Sequence, residues 1–348
     1  MMKKTLALAM ALLMALSLAA CGSSGSTSAA SSAPSSAAQS SAASQETEPA
    51  APASFRIAAL KGPTAMGLSY LMDQSDKGEE TANDYTFTLA GAADEVTPGL
   101  IKGELDMACV PANLAATLYQ KTEGQVQVLA VNTLGVIYIV ENGNAVQSMA
   151  DLAGKTIVAS GKGSTPEFGL RYLLQQNGLD PDTDVAIEWK SEHSECVAAL
   201  ASGSATIALL PQPFVTVART KLPDLRVALD LTAEWDALEN GSTMITGVVV
   251  GRKDAVEANP GAVDAFLAEY NESVEWVNAN VADAAAIIGN YGIVDAAVAE
   301  KALPYCNIVC ITGRPMQEKL SGYLDVLYQQ EPASVGGAVP AEDFYYVA

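Results

Sequence analysis

The sequence predicts an α/β protein of two similar lobes, each a parallel-type sheet flanked by helices, joined by two hinge strands. Three observations predict it. The first is an internal echo: EVTPGLIKGELDMACVP (95–111) returns as ECVAALASGSATIALLP (195–211), 100 positions later (195 − 95). The copies match at Glu95/Glu195, Leu100/Leu200, Gly103/Gly203, Ala108/Ala208 and Pro111/Pro211. Upstream, GPTAMGLSYL (62–71) returns as GSTPEFGLRYL (163–173) with one inserted residue, pairing Gly67, Leu68, Tyr70 and Leu71 with Gly169, Leu170, Tyr172 and Leu173. That period is longer than the roughly 20 to 50 residues of a solenoid unit and is the size of a small domain. The second observation is a β-α-β-α-β alternation that occurs twice, which implies parallel strands with right-handed crossovers. The third is a pair of apolar strands, 136–140 (VIYIV) and 244–250 (MITGVVV), read as the crossing into the second lobe and the return. Two crossings make a hinge about which the lobes can close.

The ends do not belong to this fold. Lys3 and Lys4 followed by an apolar run at 6–18, too short to span a bilayer, read as a signal peptide over 1–20. Residues 21–54 are Ser/Ala-rich with scattered Pro, Gln and Glu, so they cannot bury a core and read as a tether. The remaining chain divides into lobe 1 (55–135 plus 247–348) and lobe 2 (136–246). The net charge is −21, from 19 Lys and Arg against 40 Asp and Glu, and −23 once Lys3 and Lys4 are removed (−21 − 2). Such a surface repels nucleic acid, and no nucleic-acid partner is expected. Cys109 and Cys196 read as buried thiols. Cys306 and Cys310 are close enough for a disulfide in an exported protein, or are two more buried thiols; no zinc spacing is present.

In chain order, 55–60 (FRIAAL) is a first strand, and Thr64 is a plausible N-cap for the helix carrying Met66, Leu68, Leu71 and Met72. Strand 85–90 ends at Gly91. A helix capped by Asp94 or Thr97 carries Val96, Leu100 and Ile101 and stops at Gly103. Strand 107–110, helix 114–121 and strand 126–131 complete the first lobe's core. The second lobe repeats the pattern: strands at 156–159, 185–189, 207–210 and 226–229, with helices at 166–177, 194–202 and 214–220. From Lys253 the chain turns helical, with segments opening at Pro260, Val281, Val294 and Pro315 that pad the first lobe. The tail at 344–346 packs back onto the body.

Ligands of open parallel sheets sit beyond the carboxyl ends of the strands, where helix N-termini offer free N–H groups to anions. This nominates facing loops. Lobe 1 supplies Lys61, Gly62, Pro63, Thr64, Ala65, Met66, Gly91, Ala92, Pro111 and Asn113. Lobe 2 supplies Gly163, Ser164, Thr165, Lys190, His193 and Gln212. Thr64, Ser164 and Thr165 add hydroxyls; Asn113 and Gln212 add amides. His193, the one histidine, either touches ligand or is a solvated loop residue. Trp189 and Tyr138 either stack on a ligand ring or fill core. GKGSTPE (161–167) is neither a P-loop, which places Lys after its second Gly, nor a dinucleotide fingerprint, since Pro166 holds the third glycine's place. Asp180, Asp182 and Asp184 start like a calcium loop, but Val185 and Ser191 replace its Gly and Glu, and an acidic turn explains them. No Gly-x-Ser-x-Gly elbow surrounds a serine. No catalytic residue, metal or cofactor is expected.

Several of these segments resemble a known family. Leu18-Ala19-Ala20-Cys21 resembles a bacterial lipobox, which implies cleavage before Cys21 and a lipid on its sulfur. With it, the tether, GPTAMGLSYL, 95–112, Asp151-Leu152-Ala153-Gly154-Lys155-Thr156 and 247–270 are similar to extracytoplasmic solute-binding lipoproteins of ABC importers. The most similar group is the one that includes nitrate, sulfonate, taurine and thiamine-precursor binders. The resemblance implies a hinged, type II periplasmic-binding-protein fold, one small ligand per cleft, delivery to a permease and no catalysis; ligand chemistry varies widely within the group. The facing loops point to an anion or polar heterocycle, and a monomer lipid-anchored outside the cell is expected. The alternatives are an enzyme on the same fold, related to pyrimidine-precursor synthesis with His193 at its centre, or a ligand-sensing surface lipoprotein.

Overall fold

The computed structural model describes residues 52–347; the expected signal peptide, Cys21 and all but the last residues of the expected tether lie outside the described residues. Two sheets are built. The first takes β1 (Ser54–Leu60), β2 (Asp84–Ala90), β3 (Met107–Pro111), β4 (Val126–Leu134), β10 (Ile245–Arg252) and β11 (Ile308–Ile311) in the order β11-β4-β10-β3-β1-β2. The second takes β5 (Ile137–Glu141), β6 (Thr156–Ser160), β7 (Ala186–Lys190), β8 (Ile207–Pro211) and β9 (Arg226–Asp230) in the order β7-β6-β8-β5-β9. Read from one edge, β2-β1-β3-β10-β4 and β7-β6-β8-β5-β9 are the same arrangement. The repeat thus extends to topology, and β11 is an addition at the first sheet's edge.

The sheets are mixed rather than parallel throughout. β10 runs antiparallel to β3 and β4, and β5 antiparallel to β8 and β9. These are the two crossing strands. A strand that arrives from the other sheet, and not by a crossover from its own, is free to run opposite to its neighbours, and each occupies the same slot in its sheet. The outgoing crossing packs closely on the segment after β9: a Cβ on Gly135 would lie 2.0 Å from Thr232 Oγ1, so only glycine fits there. Gly247 is under the same constraint, with Asn132 Oδ1 and Thr64 Cγ2 each 2.5 Å from a would-be Cβ.

The echoed residues play echoed parts. Helices α3 (Ala93–Lys102) and α6 (His193–Ser202) end at Gly103 and Gly203, with φ of 78° and 73°, the left-handed conformation that glycine adopts without penalty. Leu100 and Leu200 are buried, as are Ala108 and Ala208 on β3 and β8. Glu95 accepts hydrogen bonds from Gly91 N and Ala92 N (3.1 and 2.9 Å), and Glu195 accepts one from Glu192 N (3.0 Å). Each glutamate satisfies amides that a helix start leaves without partners. Neither Asp94 nor Thr97 is the cap: the N-cap is Ala92, and Thr97 donates to Ala93 O. Thr64 is likewise no cap. Its hydroxyl turns back to Leu60 O (2.9 Å) and Gly62 holds the cap position. The predicted helix divides there into α1 (Pro63–Met66) and α2 (Ser69–Lys77).

The remaining helices are α4 (Ala112–Lys121), α5 (Thr165–Gln176), α7 (Phe214–Lys221), α8 (Leu231–Asp236), α9 (Lys253–Ala258), α10 (Pro260–Ala279), α11 (Val281–Asn290), α12 (Ala296–Ala302) and α13 (Gly313–Gln330). One face of the first sheet packs under α2 and α10 to α12 through Phe55, Ile57, Phe266 and Tyr270. The C-terminal helices do more than pad this sheet. Leu320, Tyr323 and Leu324 of α13 join a single apolar cluster with Val110 and Val131 of the first sheet and Leu170, Leu209 and Trp235 of the second lobe's elements. The tail closes on β4: Tyr346 N donates to Val128 O (2.9 Å), and Phe344 packs edge-on against Tyr119. Cys306 and Cys310 are free thiols.

Candidate functional site

The carboxyl ends of β1, β3, β6 and β8 converge with the starts of the crossing strands around a cavity of about 140 Å³. Half of the sixteen nominated residues line it: Lys61, Gly62, Pro63 and Pro111 from the first lobe, and Ser164, Thr165, His193 and Gln212 from the second. Pro211 and Pro213 come from the same turns. Val136, Ile137 and Thr246, on the crossings, complete the wall with Pro166 and Phe214. The crossing residues were readable in principle, since a strand that changes sheets must run past the gap between them.

The other nominated residues sit elsewhere. Thr64, Ala65 and Met66 are buried under the first sheet's helices. The amides of Gly91 and Ala92 are taken by Glu95, and that of Gly163 by Glu167 Oε2 (2.6 Å), so these helix starts carry internal carboxylates in place of a ligand. Lys190 is drawn to Glu188 (2.6 Å) on its own strand. Asn113 does not line the cavity but spans the gap: its Nδ2 donates to Gly163 O (3.3 Å) and to Ser334 O (3.2 Å), tying α4 to the loop before α5. Trp189 is a partly buried packing residue. Tyr138 also faces a second space, described below.

Polarity is selective around the cavity. Lys61 is its one lining cation and no carboxylate lines it, in a chain of net charge −21. His193 opens α6 and is not a solvated loop residue. Its ring packs against Phe214 with centroids 5.0 Å apart, and Nδ1 shares a hydrogen with Ser160 Oγ. Burial pushes its pKa down to about 4, so the ring is neutral at physiological pH. With Nδ1 held by Ser160, Nε2 is the ring's second polar atom. Ser164 Oγ donates to Gly161 O (3.1 Å). Gln212 is nearly buried; its Oε1 accepts from Thr216 Oγ1 (2.9 Å), which leaves the amide nitrogen as a donor. Thr165 Oγ1 on α5 and Thr246 Oγ1 on β10 are buried without a hydrogen-bond partner; the Thr165 hydroxyl neighbours that of Tyr323 but neither completes a bond.

A two-lobed α/β body whose strand tips meet at a small, mainly apolar cavity set with a few polar groups has the architecture of a solute-binding protein. Residues 78–302 match the family described as ABC transporter, phosphonate, periplasmic substrate-binding protein, and the chain belongs to that family. A protein of Brucella abortus named as a binding protein is 27% identical over 180 residues, 52% of this chain and 54% of its own length. The chain thus spans about half the length of the curated relatives it matches. Among solved structures, an ABC transporter protein of Parabacteroides distasonis superposes with a TM-score of 0.71 at 21% identity, covering 84% of this chain and 98% of that one. The periplasmic aliphatic sulphonate binding protein SsuA of Escherichia coli gives 0.66 at 18% identity, covering 84% and 92%. At these identities the likeness is one of fold, that of type II periplasmic binding proteins. No helix among the described residues is long and apolar enough to cross a membrane.

Proposed function

We propose that the protein captures a small oxyanion in the 140 Å³ cavity, closes lobe 1 (55–135 and 247–348) on lobe 2 (136–246), and presents the closed form to an ABC permease. The observation that carries the reading is the cavity's chemistry. Lys61 and the Gln212 amide supply donors, the neutral His193 presents a ring nitrogen, and no carboxylate competes. Phosphonates and sulfonates, the ligands named for its family and for SsuA, have that chemistry. The protein binds its ligand without transforming it and acts as a monomer. A calorimetric titration with methylphosphonate, methanesulfonate, phosphate and nitrate tests this. At least one binds, and Ser164→Trp, which fills the cavity mouth, weakens it tenfold or more without lowering the melting temperature. Failure of all four to bind, or an unchanged affinity in Ser164→Trp, rejects the site.

The same proposal places residues 1–20 as a cleaved signal peptide and Cys21 as a lipidated anchor, with 22–54 as the tether. It is supported by the lipobox sequence and by membership of an extracytoplasmic family. Cys21→Ser shifts the protein from the membrane fraction to the medium; continued sedimentation with membranes removes the anchor from the account.

A further inference from the structure

The small cavity has a larger neighbour. A groove of about 690 Å³ lies between α7 and β9 on one side and α12 with the turn after it on the other, and Gln212 is a wall of both spaces. Its volume falls in the range of about 300–1,000 Å³ that organic ligands occupy, whereas its neighbour suits only a small oxyanion. Its floor is apolar: Val215 is buried, and Val227 and Tyr305 are 38% and 59% exposed, among the few large hydrophobic side chains left open to solvent. Tyr138 Oη donates to Tyr305 O (3.4 Å), linking the two walls.

Charge at the rim is directional. Arg219 on α7 and Lys301 on α12 face the groove from opposite walls, and neither belongs to an ion pair among the described residues. The one lining carboxylate, Asp230, is already turned to the start of α8, where it accepts hydrogen bonds from Thr232 N (2.9 Å) and Ala233 N (3.4 Å). An apolar floor between two unpaired cations matches an anion with an aromatic or long aliphatic body: the body covers exposed Tyr305 and Val227, and the acid group is shared by the cations.

We propose that this groove is a second binding site, distinct from the strand-tip cavity, for an organic sulfonate or carboxylate with an aromatic or long aliphatic body. The test uses 8-anilinonaphthalene-1-sulfonate, an aryl anion too bulky for the smaller cavity, titrated into the purified protein and followed by its fluorescence. One molecule binds per chain. Arg219→Ala, Lys301→Ala and Val227→Asp, all at exposed positions, each weaken binding about three- to tenfold. Thr246→Val, in the smaller cavity, leaves it unchanged. Absence of saturable binding, or an affinity that the three groove variants do not alter, overturns the proposal. Because small oxyanions are titrated separately, failure here leaves the transport reading standing.

Discussion

Trp235→Ala lowers the stability of the chain by about 3–5 kcal/mol, the usual cost of emptying a buried large aromatic position. Trp235 is fully buried on α8, and its ring touches Tyr172 of α5 and Tyr323 of α13, with centroids 4.6 and 5.5 Å away. Its Nε1 donates to Ser242 Oγ (2.9 Å) just before the return crossing. The residue therefore joins a second-lobe helix, the C-terminal helix and a crossing segment, and removing it leaves a cavity where these meet. Trp276 supplies the contrast. It is only partly buried, stacked on Tyr70 at 4.1 Å on the outside of the first lobe. Trp276→Ala costs less than half as much, because solvent already reaches that ring. Urea unfolding of both variants checks the difference. Equal losses would mean that the Trp235 cluster collapses to fill its void and does not join the lobes rigidly.

The sequence disclosed the repeat, and the repeat disclosed most of the fold. Glu95 and Glu195 were matched as letters, and they proved to be matched helix-start acceptors; Gly103 and Gly203 end matched helices. A duplicated unit repeats its capping chemistry because each copy must satisfy the same unpartnered amides. That rule also explains the nominated residues that lie away from the cavity. At Gly91, Ala92 and Gly163 a carboxylate three or four residues on takes the amides that a ligand was expected to take, and the sequence showed both possibilities at once. The antiparallel sense of β5 and β10 was not legible from apolar runs, which carry no direction. Strand β11 is four residues long and follows a short turn, too little for a periodicity to show. The larger groove was invisible for a different reason: its walls come from 138, 212–230 and 301–305, and only the packed chain brings α12 beside α7.

Acidification destabilises the native protein through His193, and the sign follows from its surroundings. The ring starts α6, where the helix's positive end disfavours a second positive charge; Phe214 covers one face and Ser160 holds Nδ1. Burial brings the pKa down to about 4 in the folded chain, against about 6.5 when unfolded. Between these values the unfolded chain binds a proton that the folded chain refuses, so stability falls as pH drops from about 6.5 towards 4. At about 1.4 kcal/mol per pH unit, His193 contributes a loss of about 2–3 kcal/mol between pH 7 and pH 4.5. His193→Gln retains a polar side chain but cannot titrate, so the difference in unfolding free energy between wild type and variant shrinks by that amount over the interval. Ligand binding does not respond to pH as a solvated histidine would make it respond. A ring that became cationic below pH 6.5 would tighten its hold on an anion as pH fell, whereas a ring kept neutral by Phe214 and Ser160 holds methanesulfonate or nitrate, whose own charge is constant over the range, with the same affinity from pH 8 to pH 5. An affinity that rises through pH 6.5, or a stability difference that does not move with pH, would show that His193 opens to water in the native state.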